Sequence, residues 1–329
     1  MSNTTFDLIG VGSPVVDSLA QVSEAFVASI PGDKGGMELV DSQTIGELMA
    51  KVDAALTEAP GGSAGNTAVA VAHLGLPTTF LGKLGNDAGG EFYKDRFLAL
   101  GGDASRFKIG EVPNGRCLSL VTPDSERTMR TDLGAAMTLS PDEISVEDFK
   151  GCRHAHIEGY ILFNRDLMFK VLNSAKAAGC TISIDLASFE VVGATKDILA
   201  DILTEYVDVV FANEEEAGAL FDSKDYEKMV ADLAGMCEVA VVKLGKAGSL
   251  IQQGDKLERI APNVVQAVDT TGAGDLWASG FLYGWLRGRP LAECGRNGSI
   301  LGAEIVQVMG AAIPQERWPE IKAVLDAEL

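Results

Sequence analysis

Residues 269–275 read DTTGAGD and run straight into an apolar stretch that includes Leu276, Trp277, Phe281 and Leu282. A glycine-rich turn that opens a helix leaves its first N–H groups without intrahelical partners. Those donors and the helix dipole point the same way, so the turn attracts anions, and glycine lets a phosphate approach the backbone. Gly272, Ala273 and Gly274 are therefore candidates for an anion hole. Asp275, in the first turn, reads either as a helix cap or as a carboxylate serving chemistry beside that hole.

Two further clusters follow short apolar runs. Asn213 and Glu216 come after residues 209–211, and Lys243, Gly245 and Gly248 after residues 239–242. If those runs are parallel strands, all five residues sit at the carboxyl edge of a sheet, where open α/β folds bind ligands. An amide with a carboxylate can hold water around Mg²⁺, which prefers oxygen and keeps most of its hydration when it rides on phosphates. The Glu214, Glu215, Glu216 run also reads as a solvated helix start, favoured by the dipole.

Other signals are weaker. There is no GxxxxGK[ST] loop, and GxG at Gly10 and Gly12 is followed by Pro14 and by Val15 where a dinucleotide fingerprint needs glycine. GGSAG at residues 61–65 satisfies GxSxG, but the elbow of a serine hydrolase needs a strand before Ser63, and a helix is expected there. It also needs a histidine late in the chain, and the last is His156. His154 and His156 share one face of a strand and, without a third ligand, read as packed residues, as does His73.

The elements that must position these groups follow from periodicity. Strands are expected at 6–11, 78–82, 155–157, 181–184, 209–211 and 239–242. Helices are expected through Ile45, Leu48, Met49, Val52 and Leu56, from Ser63, through Phe92 to Leu100, at 167–178 and 198–206, and one after another beyond Leu276. Strands alternating with helices imply βαβ units and a parallel sheet covered on both faces. Loosely patterned segments, 15–41 and 106–136, read as strands of a lid. The division is core 1–14, lid 15–41, core 42–105, lid 106–136 and core 137–329, with no internal repeat.

Composition excludes several partners. With 27 Lys and Arg against 47 Asp and Glu, the net charge is 27 − 47 = −20, which opposes binding to a nucleic-acid backbone. Cys117, Cys152, Cys180, Cys237 and Cys294 form no CxxC pair, so neither a disulfide framework nor a zinc site is expected. No basic residue precedes Lys34, and no apolar run reaches the ~18 residues of a membrane span. A cytoplasmic protein without membrane contact is expected.

With these motifs in place, the chain resembles the ribokinase-like (pfkB) family of carbohydrate and nucleoside kinases. GGSAGNTAVAVAHLG at 61–75, with GKLGNDAGGEF at 82–92, resembles its amino-terminal signature. DTTGAGDLWASGF at 269–281 resembles its carboxyl-terminal one, NEEE at 213–216 its NxxE element, and KLGKAGS at 243–249 its nucleotide loop. The resemblance implies an α/β/α core with a mostly parallel sheet and a small β-strand lid. It implies ATP and Mg²⁺, with Asp275 as an unshifted base, Gly272, Ala273 and Gly274 as the anion hole, and Asn213 and Glu216 organising metal and phosphates. It places Lys243, Gly245, Gly248, Thr271 and Asn297 around the nucleotide, and Asp17, Gly61, Gly62 and Asn66 around an acceptor with adjacent hydroxyls. Asp269, Thr271 and Gly310 match a monovalent-cation (K⁺) site of some relatives.

GVGSPVVDSL at 10–19, RTMRTDLGAA at 127–136 and VMGAAIPQERW at 308–318 resemble bacterial adenosine-kinase-like members, although Asp132 stands where many of those carry Asn. The resemblance thus implies a nucleoside phosphorylated on its 5′-hydroxyl, with Phe163 or Met37 stacking the base. A kinase of ribose, fructose or a related sugar is the alternative, and a non-catalytic sugar or nucleotide sensor is the third. The lid implies either a monomer or a homodimer joined through it.

Overall fold

The computed structural model describes residues 5–124 and 126–327. Strand β1 (Phe6–Val11) starts in a core sheet, and the chain then crosses to a second sheet as β2 (Val16–Gln21), α1 (Glu24–Ser29), β3 (Gly36–Leu39), α2 (Ser42–Lys51) and β4 (Thr57–Pro60). It returns as α3 (Ser63–His73), β5 (Thr78–Leu81), β6 (Lys83–Gly85), α4 (Ala88–Ala99) and β7 (Lys108–Gly110). A second excursion adds β8 (Asn114–Val121) and β9 (Arg127–Gly134) to the second sheet. The remainder stays in the core: β10 (Cys152–Glu158), α5 (Arg165–Ala178), β11 (Thr181–Asp185), α6 (Phe189–Tyr206), β12 (Val209–Asn213), α7 (Glu214–Phe221), α8 (Tyr226–Ala234), β13 (Val239–Lys243), β14 (Ser249–Gln253), β15 (Lys256–Ile260), α9 (Ala273–Leu286), α10 (Leu291–Ile305) and α11 (Trp318–Asp326).

The core sheet has the order β15-β14-β13-β12-β11-β10-β1-β5. It is parallel from β13 to β5, with an antiparallel hairpin, β14 and β15, on one edge. Helices cover both faces, so its strands read as continuous apolar runs rather than alternating ones. Ile9, Ile157, Ile182 and Ile184 meet α5 and α6 on one face. Leu8, Val209, Phe211 and Val241 meet Trp277, Phe281 and Cys294 of α9 and α10 on the other. The fold is the expected three-layer α/β arrangement.

The lid sheet has the order β3-β9-β8-β2-β4. Here the structure corrects the expected division. The helix through Leu56 ends at Lys51, and β4 pairs antiparallel with β2. Ile45 and Leu48 of α2 pack on Leu118 and Leu120 of β8, so residues 42–60 belong to the lid rather than the core. Periodicity shows that α2 has an apolar stripe but not which sheet the stripe covers. The β14–β15 hairpin was also missed, because its outer strand is the polar edge sequence KLERI.

Candidate active site

Helix α9 starts at N-cap Gly272, which has a φ of 71° and offers no side-chain cap. A positive φ is what glycine adopts without strain; Ala273 N–H closes the turn on Thr270 O at 3.2 Å, and the N–H groups of Gly272 and Gly274 on either side of it are left for a ligand. The turn before it is held by Asp269, whose carboxylate accepts from Thr271 N–H (2.9 Å), Thr271 Oγ1 (2.6 Å) and Gly310 N–H (2.8 Å). Asp269 is thus a buried clamp between two loops. Both of its carboxylate oxygens are occupied.

Asp275 does not cap its own helix. Its Oδ1 accepts from Ser63 Oγ (2.8 Å) and its Oδ2 from Asn66 Nδ2 (2.9 Å), while Thr67 Oγ1 donates to its carbonyl (3.1 Å). The starts of α3 and α9 are therefore tied together at this carboxylate, which lines the main cleft. Burial pushes its pKa up to about 6; the bonds from Asn66 and Ser63 and the Lys243 charge oppose the rise, and the Asp185 charge adds to it. The expectation of an unshifted base is corrected: a half-buried carboxylate close to other acids is harder to ionise.

Four neighbouring parallel strands, β10 to β13, end in Glu158, Asp185, Asn213 and Lys243, with Glu158 beside Asp185 and Asn213 beside Lys243 in register. Asn213 caps α7 by accepting from Glu215 and Glu216 N–H at 2.8 and 2.9 Å, and its Nδ2 donates to Glu216 Oε1 at 2.7 Å. The acidic run is thus a helix start, as its composition suggested, and Glu216 also lines the cleft. Burial, then the Asp185 charge, pushes Glu216 up to about 7 against the pull of Lys243. Lys243 Nζ pairs with Asp185 Oδ2 at 2.7 Å. Burial works against its ammonium, but Asp185 and Glu216 more than offset that and hold its pKa above the ordinary value. Gly245 and Gly248 border the same cleft.

This group is rich in carboxylate oxygen, with Asp185, Glu216 and Asp275 around one lysine, and so fits a hard divalent cation. Among the described residues no three His, Cys, Asp or Glu side chains form a metal cage. Such a cation would be held by Glu216 through water together with ligand phosphates. His154 and His156 bond to Thr181 and Ser183 inside the core, as their packed reading required.

The opposite wall is the lid. One row of its sheet runs Asp17, Cys117, Thr131, Leu39 across four strands in register, and all four face the cleft, with Met37 and Met129 in the next row. Burial pushes Asp17 up to about 7, the nearby Arg127 guanidinium opposing the rise and Asp275 adding to it. Gly61 packs against the Asp17 carboxylate, where a Cβ would lie 2.3 Å from it. Gly62 and Asn66 line the cleft, as do Met37 and Phe163. Asn66 is turned to Asp275. Asp132 accepts from Gly134 N–H at 3.0 Å and so shapes the turn that leaves the lid. The whole cleft measures about 1090 Å³.

One expected residue is not brought to the site. Asn297 is buried between α9 and α10, where its carbonyl would lie 2.3 Å from a Cβ placed on Gly280, and it does not line the cleft. The face of α10 that does so carries Ser299, Gly302, Ala303 and Val306. The premise that a helix precedes Ser63 also fails, since β4 does, but Ser63 bonds a carboxylate rather than a histidine. Missed were Glu158 and Asp185, which end strands β10 and β11 as Asn213 and Lys243 end theirs. The same carboxyl-edge rule would have found them. Ser63 and Arg127 carried no local signal.

Comparison with known proteins agrees with this arrangement. Residues 37–318 match the model described as "pfkB family carbohydrate kinase", so Asp17 lies just ahead of the matched segment. An uncharacterized sugar kinase of Archaeoglobus fulgidus is 30% identical over 245 residues, 73% of this chain and 96% of its own length. A probable sugar kinase from Rhizobium etli superposes with TM-score 0.89 at 30% identity, covering 98% of this chain and 99% of that one. The adenosine kinase of Sinorhizobium meliloti does so with TM-score 0.88 at 31% identity, covering 97% and 99%. Because that family model spans residues 37–318 of the 329, this chain belongs to the pfkB family of carbohydrate kinases.

Proposed function

We propose that this kinase moves the γ-phosphoryl group of ATP to the 5′-hydroxyl of an adenosine-like ribosyl nucleoside. Asp275 is the base, and the N–H groups of Gly272 and Gly274 are the anion hole, which Ala273 N–H joins only by giving up its bond to Thr270 O. The observation that carries the reading is the position of the Asp275 carboxylate in one continuous cleft. It lies between a helix start without a side-chain cap and a lid face on which Asp17 is followed by Cys117, Thr131 and Leu39.

The roles follow from that geometry. Asp17 accepts from two adjacent hydroxyls of the sugar, and an acceptor lacking them leaves a buried carboxylate unpaired. At about 4.8 Å per strand, the row beyond Asp17 gives a flat base an apolar surface next to the sugar. Ser63 and Asn66 orient Asp275, which takes the proton as the hydroxyl attacks phosphorus. The transition state is loose, so positioning and charge stabilisation matter more than base strength. The α9 amides and Lys243 face the charge on the transferring group. When bound, Mg²⁺ supplies neutralisation of phosphate charge, with Glu216 as its anchor. A monovalent cation at Asp269, Thr271 and Gly310 would be held by main-chain carbonyls, because the Asp269 carboxylate is already occupied.

A sugar kinase is the second reading, favoured by the sugar kinases among the relatives and by an Asp17 grip that any vicinal diol satisfies. ADP release from Mg²⁺ and ATP, measured with adenosine, other ribonucleosides, ribose and fructose, separates the two. The nucleoside reading expects the highest kcat/KM with adenosine. Turnover of ribose or fructose with silent nucleosides selects the sugar kinase, and no ADP with any acceptor selects the sensor.

A further inference from the structure

Four chain crossings join the lid to the core among the described residues: 12–15, 60–63, 110–114 and 134–135. The first is a hub. Ser13 N–H donates to Glu158 Oε1 (2.9 Å), Pro14 O accepts from Asn114 Nδ2 (3.2 Å), and Val15 O accepts from Gly61 N–H (2.8 Å). Successive residues thus bond to the core, to the third crossing and to the second.

Glu158 does more than hold Ser13. Its other oxygen accepts from Ala64 N–H at 3.2 Å, in the first turn of α3. That helix starts at Gly62, which has no side chain to cap it. Orphan donors at a helix start need an acceptor, and a carboxylate there also meets the favourable end of the dipole. A carboxylate from β10, 94 residues away in sequence, supplies what the local sequence omits. The Cα of Gly12 packs so closely on it that a Cβ would lie 2.2 Å from Glu158 Oε2. Helix α3 in turn carries Ser63, Asn66 and Thr67 to Asp275.

We propose that Glu158 is a positioning residue: it clamps the first lid crossing and the start of α3 to the core, and so holds the donors that orient the Asp275 base. The kinetic consequence rests on the phosphotransferase reading above, whereas the clamp is measurable without turnover.

Glu158→Gln in the full chain tests both. A glutamine keeps one acceptor oxygen but turns an NH₂ toward the second N–H, so one of the two bonds is lost. By hydrogen exchange, peptides covering residues 12–15 and 62–67 should exchange roughly tenfold faster than in the parent protein, with α11 unchanged as the internal control. With ATP and the best acceptor of the panel, kcat should fall on the order of 10- to 100-fold. The Kd for ADP should stay within about two-fold, because the groups that border the nucleotide do not touch Glu158. Gly12→Ala, which drives a methyl group into the carboxylate, should reproduce the defect, and the double variant should be no worse than either single one. Unchanged exchange in Glu158→Gln overturns the clamp whether or not the enzyme turns over. Faster exchange with native kcat, or losses that add in the double variant, overturns the positioning role. A parent protein silent with every acceptor overturns the phosphotransferase reading and the kinetic role with it, while exchange still decides the clamp.

Discussion

At the scale of single residues, the proposed reaction assigns different work to two carboxylates that line one cleft, Asp275 and Asp17. Asp275→Asn keeps the shape at the start of α9 but cannot take up a proton, and its amide opposes that of Asn66. Turnover should fall about 10²- to 10⁴-fold, the usual range for loss of a general base, with ADP affinity by calorimetry nearly unchanged. Since the carboxyl is pushed up to about 6 and only its ionised form accepts a proton, kcat/KM should rise with pH through about 6 and level off above it. A flat profile from pH 5 to pH 8 would remove Asp275 from the role of base. Asp17→Asn should act on the other side. An amide still bonds hydroxyls but accepts from only one at a time, so acceptor kcat/KM should drop roughly 100-fold while ATP affinity holds. Equal losses for ATP and acceptor would show that Asp17 supports the fold rather than the acceptor.

At the scale of elements, the site depends on how closely α9 lies on α10. No side chain separates them at Gly280, where an added Cβ would stand 2.3 Å from the carbonyl of Asn297, and backbone atoms cannot swing aside as a flexible side chain can. Gly280→Ala should therefore cost about 1–3 kcal/mol, read as a lower urea midpoint at unchanged slope. Because α9 carries Asp275 at its first turn, turnover should fall further than stability alone explains. A variant with native midpoint and activity would mean that the two helices move apart freely. The same packing corrects the place that the resemblance implied for Asn297: its carbonyl lies against Gly280 and its side-chain amide against Gly284, inside the α9–α10 interface rather than in the cleft.

At the scale of the molecule, the net charge of −20 and the acidic cleft act in one direction. Burial is the first cause that holds Asp17, Glu158 and Glu216 up at about 7 and Asp275 at about 6. All four lie above the ordinary carboxylate range, so keeping them ionised costs more in the folded chain than in the unfolded one. Such groups contribute stability at low pH that is lost as pH rises through the folded pKa. Asp124 and Asp326 work the other way, but their contribution disappears only in strong acid, whereas His154 and His156, held by burial down to about 3 and about 4, add stability as pH rises toward the ordinary histidine range and offset part of the loss from the four acids. The unliganded protein should therefore melt at a lower temperature at about pH 8 than at about pH 5, a difference that a thermal scan measures directly. A melting temperature that rises across that window would mean that the buried histidines outweigh these acids.

What was legible in the sequence is what depends on near neighbours along the chain. The DTTGAGD turn could be read as an anion site because its donors belong to consecutive residues, and the parallel core because each buried strand shows itself as an apolar run. Asn213 with Glu216 is likewise a local unit, a capping box four residues long. The partners of Asp275 were not legible, because Ser63 and Asn66 lie 212 and 209 residues away and meet it only when two helix starts converge. Nor could periodicity show that α2 and β4 join the lid, since a stripe of Ile45 and Leu48 fits any apolar surface until Leu118 and Leu120 present one. The sequence by itself determined the core strands and helices, the glycine-rich turn and the family's motifs, all products of local backbone chemistry. Only the tertiary structure decided which carboxylates share one buried space, and it is the removal of water from that shared space that sets their charge.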